Sequence, residues 1–318
     1  MSRRGWDAKM APHPEDPMTR RAVTLLLALS LWPLAGGVAA AAPEPTVEDL
    51  VKKLESCEDL DCPPIRALVR RGAEIWPELA VGLKDQTEMT KFWTLGVLSE
   101  VVVPAAREAL EGLLADEPLV RIRAAAAFAL GNMHTPEVVP ALAKALADKD
   151  VNVRFEAASA LSRTPGAAAV PALLTALRDK DEDVRAAVVE ALAAAKDARA
   201  VDHLLRRAEK DPAAGVRGMA AIALANLKAA AAVEPLMARL RAEKNKQALA
   251  AVCWALGELG DARAVAALTP LAEGAEPVVK QHASEAIAKL KGEQPAERPP
   301  ADGGEKKPSD GAGKPEEE

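Results

Sequence analysis

The sequence is poor in aromatic residues, histidine and cysteine. Its 318 residues include no Tyr, three Phe, five Trp, four His and three Cys. So few potential ligands leave little material for a metal centre, and we expect neither a metal nor a cofactor. Hydrophobic residues still make up 49% of the chain, because it holds 70 alanines. Alanine favours helices over strands, so the composition argues against a sandwich, a barrel or a large parallel sheet.

A general excess of basic residues is also missing. The chain has 41 Lys and Arg against 47 Asp and Glu, a formal net charge of −6. This balance excludes a generally basic nucleic-acid binder, so we expect no nucleic-acid partner. The sequence contains no glycine-rich phosphate loop and no Gly-x-Ser-x-Gly nucleophile elbow, two motifs that indicate enzymes. We therefore expect no catalytic residues and no enzyme activity.

Residues 18–42 have the layout of a secretory signal peptide. A basic pair, Arg20 and Arg21, precedes an apolar run from Ala22 to Leu34, and small residues follow. The run is shorter than the roughly 20 apolar residues of a transmembrane helix. We predict an exported, periplasmic or extracellular protein without a membrane span after cleavage, an uncleaved anchor being the alternative. Residues 1–17 would be an upstream leader or a mis-assigned start before Met18.

The segment 43–62 is acidic and contains Cys57 and Cys62, two of the three cysteines. In an exported chain, two nearby cysteines suggest a local disulfide. Such a bridge would tie this segment to the first layer of the fold.

The other end of the chain, residues 292–318, has a composition typical of disorder. It contains five Pro, five Gly, eight acidic and four basic residues. Such a segment cannot bury enough apolar surface to offset the entropy of ordering it. We interpret 292–318 as a disordered tail that acts either as a solvating appendage or as a tether or binding strip.

Between these ends, residues 63–291 carry an internal repeat of 31 to 32 residues. Each unit has an anchor residue, and a Leu or Ile follows eight positions later. With small residues between them, these positions fall on one stripe of a helix with 3.6 residues per turn. They predict the first helix of each unit. The anchors are Thr90, Ile122, Val153, Val184, Val216, Ala248 and Val279.

A second apolar stripe keeps the same period and predicts a second helix in each unit. Val139, Val170, Val201, Val233 and Val265 are each followed three residues later by Leu. Because one hairpin of short helices cannot bury its own stripe, the units must stack. We predict an all-α, right-handed α-solenoid of about seven to eight stacked helical hairpins. First helices would form the convex side and second helices the concave side.

The units resemble HEAT-like repeats of the phycobilisome-lyase type. The matching stretches are Asp150–Arg154, Asp181–Arg185, Val170–Leu173 and Gly260–Val265. The resemblance implies a HEAT/armadillo-like scaffold in which an acidic residue caps the first helix and the Arg after the anchor packs between layers.

For this chain, the resemblance implies a structural ladder of Arg123, Arg154, Arg185 and Arg217. Asp150, Asp181 and neighbouring carbonyls would be the partners of Arg154 and Arg185. A stripe that binds phosphate or carboxylate groups is the alternative role for these two arginines.

The region 199–246 is basic within an acidic chain, with ten basic and five acidic residues. His203, Arg206 and Lys210 lie on the outward face of one predicted second helix, and Arg239 and Arg241 belong to the next. This face is either a solvated surface or a concave binding surface. Its ligand would be an acidic peptide, an anionic head group or the chain's own Glu316–Glu318.

These observations predict a non-catalytic protein–protein interaction scaffold or adaptor in the cell envelope. Its partner, unidentified and acidic in one interpretation, would bind the second-helix surface. One alternative is an envelope accessory subunit that binds anionic ligands or head groups through residues 199–246. Another is a lyase-like enzyme or lyase subunit. His134, His203 and His282 occupy different positions within their repeats, so stacking does not bring them together as metal ligands.

The few large side chains of the first helices have two possible roles. They could dock a partner, or they could fill space between alanine-rich repeats. The residues in question are Phe92, Phe128, Phe155, Ile222 and Trp254.

Overall fold

A computed structural model describes residues 44–84, 87–164, 166–274 and 276–293. Within these ranges the secondary structure consists of α-helices and short 3-10 turns, with no strand. The predicted leader 1–17 and signal peptide 18–42 lie outside the described residues. So does the predicted tail 292–318, apart from its first two residues.

Sixteen α-helices lie within the described residues. They are α1 (Val47–Lys53), α2 (Pro63–Arg71), α3 (Trp76–Gly82), α4 (Glu88–Glu100), α5 (Arg107–Asp116), α6 (Val120–Gly131), α7 (Val139–Ala145), α8 (Val151–Arg163), α9 (Val170–Ala176), α10 (Glu182–Ala195), α11 (Val201–Lys210), α12 (Ala214–Asn226), α13 (Val233–Ala242), α14 (Lys246–Leu259), α15 (Ala264–Ala272) and α16 (Pro277–Lys291).

The helices alternate between two layers, which confirms the predicted α-solenoid. The even-numbered helices from α4 to α16 are the first helices, and each packs on the next. The odd-numbered helices from α5 to α15 are the second helices, and neighbours such as α11, α13 and α15 lie side by side. All seven predicted anchor residues are buried. The two apolar stripes therefore form one continuous core.

Local chemistry sets where the helices begin. The side chains of Thr87, Asp150, Asp181 and Asn245 each accept a hydrogen bond from a backbone N–H of the first turn that follows. Five second helices, from α5 to α13, follow a 3-10 turn. These caps and turns satisfy backbone groups that the helix ends leave unpaired.

Small residues let the first helices approach closely. A Cβ built on Gly257 of α14 would lie 2.9 Å from Cα of Ala286 on α16, and one on Gly218 of α12 would lie 3.3 Å from Cα of Ala248. Larger side chains at these positions would push the layers apart, which explains why alanine and glycine dominate this interface.

The described part of the acidic segment, residues 44–62, contains helix α1. Within 44–62, helix α1 packs on α2, α3 and α4, and Leu50, Val51, Leu54 and Cys57 are buried. A disulfide joins Cys57 to Cys62 just before α2. Helices α2 and α3 form the degenerate first unit, which starts at Pro63.

Candidate partner-binding surface

A row of ion pairs runs along the edge where first helices begin and second helices end. Each ladder arginine donates from Nε and Nη2 to both oxygens of one carboxylate. For Arg185 and Asp211 these distances are 2.9 and 2.8 Å. The pairs are Arg123–Asp148, Arg154–Asp179, Arg185–Asp211 and Arg217–Glu243. Lys91 and Glu117 make the equivalent contact at 3.2 Å.

The third guanidinium nitrogen holds the preceding loop. Nη1 of Arg185 donates to the carbonyl oxygens of Asp179 and Lys180 at 2.9 and 3.2 Å. Each ladder arginine thus joins the loop before its own helix to the loop that ends its hairpin. Two loops that belong to neighbouring layers are held together by one planar group.

Asp150 and Asp181 were expected to pair with Arg154 and Arg185, and this expectation is wrong. Asp150 instead accepts a hydrogen bond from the Asn152 N–H, and Asp181 accepts from the N–H groups of Asp183 and Val184. Because these carboxylates cap α8 and α10, they are not the partners of Arg154 and Arg185. Asp148 and Asp179, each two positions earlier in its loop, bind the ladder arginines of the preceding units, Arg123 and Arg154. The predicted carbonyl contacts are present.

Two carboxylates of the ladder each hold a second arginine, which comes from a second helix. Arg207 of α11 donates to Asp211 at 3.1 Å, and Arg239 of α13 donates to Glu243 at 2.7 and 3.0 Å. The Asp211 side chain is 0% exposed and that of Glu243 is 1% exposed. Since two cations share one anion, each cluster keeps a formal charge of +1.

The hydrogen bonds keep both carboxylates ionised. Burial alone would raise the pKa of Asp211, but donors from Arg185, the Ala213 N–H and Arg207 outweigh it and lower the pKa. At Glu243, burial is likewise outweighed by donors from Arg217, the Asn245 N–H and Arg239, and the pKa falls to about 2. The positive excess at each cluster therefore persists throughout the neutral range.

The predicted partner-binding residues fall into two groups. Arg206, Lys210 and Arg241 are exposed and form no ion pair with any described residue, while His203 is half-buried. Arg239 differs from the three exposed residues because its guanidinium is already bound. Its guanidinium binds Glu243 and the Glu209 carbonyl oxygen, and its side chain is 18% exposed. The reason is its position four residues before Glu243, which places both side chains on one helix face.

Our sequence reasoning missed Arg207. It lies four residues before Asp211 on α11, as Arg239 lies four residues before Glu243 on α13. An Arg at that spacing from an acidic residue at the end of a second helix was the available signal. We add Arg207 to the four predicted cations and define the second-helix cation surface by the following residues: Arg206, Arg207, Lys210, Arg239 and Arg241.

A shallow groove continues this surface between α13 and α15. Its volume is about 290 Å³, and its apolar lining consists of Met237, Ala238, Ala266 and Ala267. Arg241 stands on one side. Glu234 and Arg263 also line it, and they pair with each other at 2.7 Å.

The aromatic side chains on the first helices mostly fill space between repeats. Arg121 stacks over the Phe92 ring at 3.8 Å, and Arg163 lies 4.9 Å from the centroid of Phe128. In both cases the arginine comes from the next unit. Phe155 and Trp254 are half-buried against the core.

The described residues show no assembled metal or membrane feature. In the part of the chain that the structure covers, no three His, Cys, Asp or Glu side chains are grouped to hold a metal ion. Across the same ranges, no helix has the length and hydropathy needed to cross a bilayer. Burial raises the pKa of Cys253 to about 12, so this thiol stays protonated.

Comparison with known proteins identifies the repeat type of the fold. The family model described as HEAT repeats matches residues 117–176, 163–225 and 201–288. YibA from E. coli has a TM-score of 0.56 and 22% identity, over 76% of this chain and 95% of that chain. At this identity the likeness shows the fold alone. Among curated proteins none matches this sequence.

Two enzyme structures are also similar, at lower TM-scores. The complex of CpcE and CpcF of phycocyanin lyase from Nostoc sp. PCC7120 has a TM-score of 0.46 and 22% identity, over 83% of this chain and 92% of that chain. Human deoxyhypusine hydroxylase in complex with glycerol has a TM-score of 0.36 and 22% identity, over 78% of this chain and 98% of that chain. Scores below 0.5 carry no argument about activity.

Proposed function

This chain belongs to the HEAT-repeat family, and on that premise we propose that it is a non-catalytic scaffold in the cell envelope. An acidic segment of a partner protein binds to the second-helix cation surface. The observation that carries the proposal is the sharing of one buried carboxylate by two arginines, at Asp211 and again at Glu243.

The two shared carboxylates explain why a ligand of this surface should be anionic. Arg207 and Arg239 are the outer members of their clusters, with side chains 27% and 18% exposed. A guanidinium has five N–H donors, so each can still donate to an incoming carboxylate. Because both arginines are already held by buried partners, little side-chain entropy is lost when a ligand binds them.

The exposed cations extend the same surface over two neighbouring helices. Arg206 and Lys210 lie on α11, and Arg241 lies on the adjacent α13. Packed helices are about 8–10 Å apart, a distance that a few residues of extended peptide span. Several carboxylates along one peptide can therefore be bound at once, which favours a peptide over a single small anion.

The envelope location rests on the signal-peptide pattern of residues 18–42 and on the Cys57–Cys62 disulfide. Disulfides persist in oxidising compartments such as the periplasm. Both features support export.

A charge-reversal experiment tests the proposal. Purified full chain is incubated with a fluorescently labelled poly-Glu peptide, and binding is followed by anisotropy between about 50 and 300 mM salt, a range over which screening becomes strong. The test variant is Arg206→Glu with Arg241→Glu. The matched control is Lys53→Glu with Lys84→Glu, two exposed lysines at the N-terminal end.

We expect the parent and the control to bind with strong salt dependence and the test variant to lose binding at least tenfold. The same three proteins, used as bait in an envelope fraction, should then differ in one salt-sensitive protein partner. Equal peptide binding by all three would refute the proposal. Binding to anionic vesicles without binding to the peptide would favour a lipid head-group ligand instead.

A further inference from the structure

The chain leaves the last helix in a defined direction. Gly292 ends α16 in the left-handed conformation, with φ 73° and ψ 18°, and Gly260 ends α14 in the same way, with φ 77° and ψ 13°. Glycine favours this conformation because it has no Cβ. After Gly260 the chain turns into α15, a second helix. After Gly292 it is therefore aimed at the second-helix layer beside α15.

The groove between α13 and α15 lies one helix away from this exit, on the α13 side of α15. Its lining combines the apolar Met237, Ala238, Ala266 and Ala267 with the Glu234–Arg263 ion pair and with Arg241, which forms no ion pair with any described residue. One helix further along, α11 carries Arg206 and Lys210. A segment that leaves α16 and passes over α15 would reach this groove first and the cations of α11 afterwards.

Residues 294–318 begin with a proline-rich stretch and end with three glutamates. Pro295, Pro299, Pro300 and Ala301 come first, and Glu316–Glu318 come last. The segment contains seven acidic and four basic residues. Proline-rich stretches lose little conformational entropy on binding in a shallow apolar groove. A cluster of glutamates complements exposed arginines and lysine.

We propose that residues 294–318 dock on the chain's own second-helix surface, with the prolines in the α13–α15 groove and Glu316–Glu318 on Arg206, Lys210 and Arg241. This inference rests on the proposed function, since it makes the segment an internal competitor of the acidic partner. An extended segment gains about 3.1 Å per residue. Its 25 residues reach roughly 75 Å, well beyond the two helix spacings of about 10 Å each that separate α15 from α11.

Tethering makes even weak docking effective. A short flexible linker gives an effective concentration on the order of 1 mM. If the free segment binds with a Kd near 100 μM, the tethered segment occupies the second-helix surface in about nine-tenths of the molecules. A partner must displace the tethered segment. The surface therefore binds most readily those ligands that carry more negative charge than residues 294–318.

The test uses the full chain with the charge of the segment reversed. The variant is Glu316→Lys, Glu317→Lys and Glu318→Lys, and the probe is a labelled synthetic peptide with the sequence of residues 294–318. The matched control is Glu58→Lys, Glu74→Lys and Glu78→Lys, which makes the same net charge change on exposed residues at the N-terminal end. Anisotropy gives the Kd of each protein for the probe at low salt.

We expect the tail variant to bind the probe about tenfold more tightly than the parent and the control. Adding Arg206→Glu and Arg241→Glu to the tail variant should abolish that binding. Equal affinity of parent, control and tail variant would overturn the inference, as would binding that survives the Arg206 and Arg241 reversals.

The poly-Glu peptide separates this result from the proposed function. If it binds the parent while the 294–318 peptide binds none of the proteins, the self-docking inference is wrong and the partner surface stands. If neither peptide binds any variant, both are wrong.

Discussion

Arg185 at the start of α10 and Asp211 at the end of the same hairpin face each other through two parallel hydrogen bonds of 2.9 and 2.8 Å. Twenty-six residues separate them in the chain, and the carboxylate side chain is 0% exposed. Arg207 binds the same carboxylate from the second-helix face. One buried group thus connects the stability of the array to the charge of the candidate binding surface.

Removing Arg185 should destabilise the array sharply. Arg185→Ala leaves the buried Asp211 carboxylate with Arg207 as its one remaining cationic partner, and breaking a buried ion pair typically costs about 3–5 kcal/mol. Urea denaturation measures this as a lower midpoint. The control Arg206→Ala removes an exposed arginine, so its change should stay within about 0.5 kcal/mol. Unchanged stability together with lost ligand binding would show that Arg185 serves binding instead.

Stability should fall in acid because of Glu243. Its folded pKa is about 2, against an ordinary value of 4.5. A carboxylate with a lowered pKa stabilises the fold above its unfolded pKa, and that contribution is lost as pH falls through the folded pKa. Between pH 5 and 2, denaturation should therefore show a loss on the order of 3 kcal/mol from this residue.

The variant Glu243→Gln isolates that effect. It should be less stable than the parent at pH 7, because Arg217 and Arg239 lose their anion, and its stability should change less with pH. Parallel pH curves for parent and variant would contradict the assignment.

A methyl group at Gly257 should force two layers apart. In Gly257→Ala the new Cβ would lie 2.9 Å from both Cα and Cβ of Ala286. Overpacking of this kind costs roughly 1–3 kcal/mol. Gly112 on α5 provides the control, since nothing lies within 4 Å of its Cβ position. Gly112→Ala should instead stabilise by about 0.5–1 kcal/mol. Thermal melting of the two variants should shift in opposite directions.

The Cys57–Cys62 bridge should stabilise the N-terminal unit. Closing so short a loop contributes about 2 kcal/mol in the chain-entropy model. Mass spectrometry of exported protein after alkylation without reductant should show one labelled thiol at most, and Cys253 should react slowly because it is buried. Two additional labelled thiols, at Cys57 and Cys62, would contradict the bridge. The double variant Cys57→Ala, Cys62→Ala should melt at a lower temperature, with α1 and α2 opening first in hydrogen exchange.

The order of the helices was predictable because their signal is local and repeated. The anchors from Thr90 to Val279 and the valines from Val139 to Val265 show a 3.6-residue periodicity that repeats every 31 to 32 residues. Each unit buries its stripe against neighbours of the same kind, so one pattern predicts every layer.

The sequence predicted which arginines form the ladder, but it did not predict which carboxylates they bind. Asp150 stands four residues before Arg154 and is a natural choice of partner by spacing, yet its side chain is used by the first turn of α8. The actual partner, Asp179, lies 25 residues further on. A separation of 26 residues likewise hides that Asp211 and Glu243, the i,i+4 partners of Arg207 and Arg239, also bind Arg185 and Arg217.

The sequence by itself determined an alanine-rich array of helical hairpins, because periodic burial needs no knowledge of distant residues. Tertiary structure alone decided which charges neutralise one another and which remain exposed. Electrostatic partnership depends on distances of 3 Å between groups that the chain separates by 25 or more residues. Glu243 is therefore held by the distant Arg217 as well as by Arg239, while Arg206 and Arg241 remain exposed.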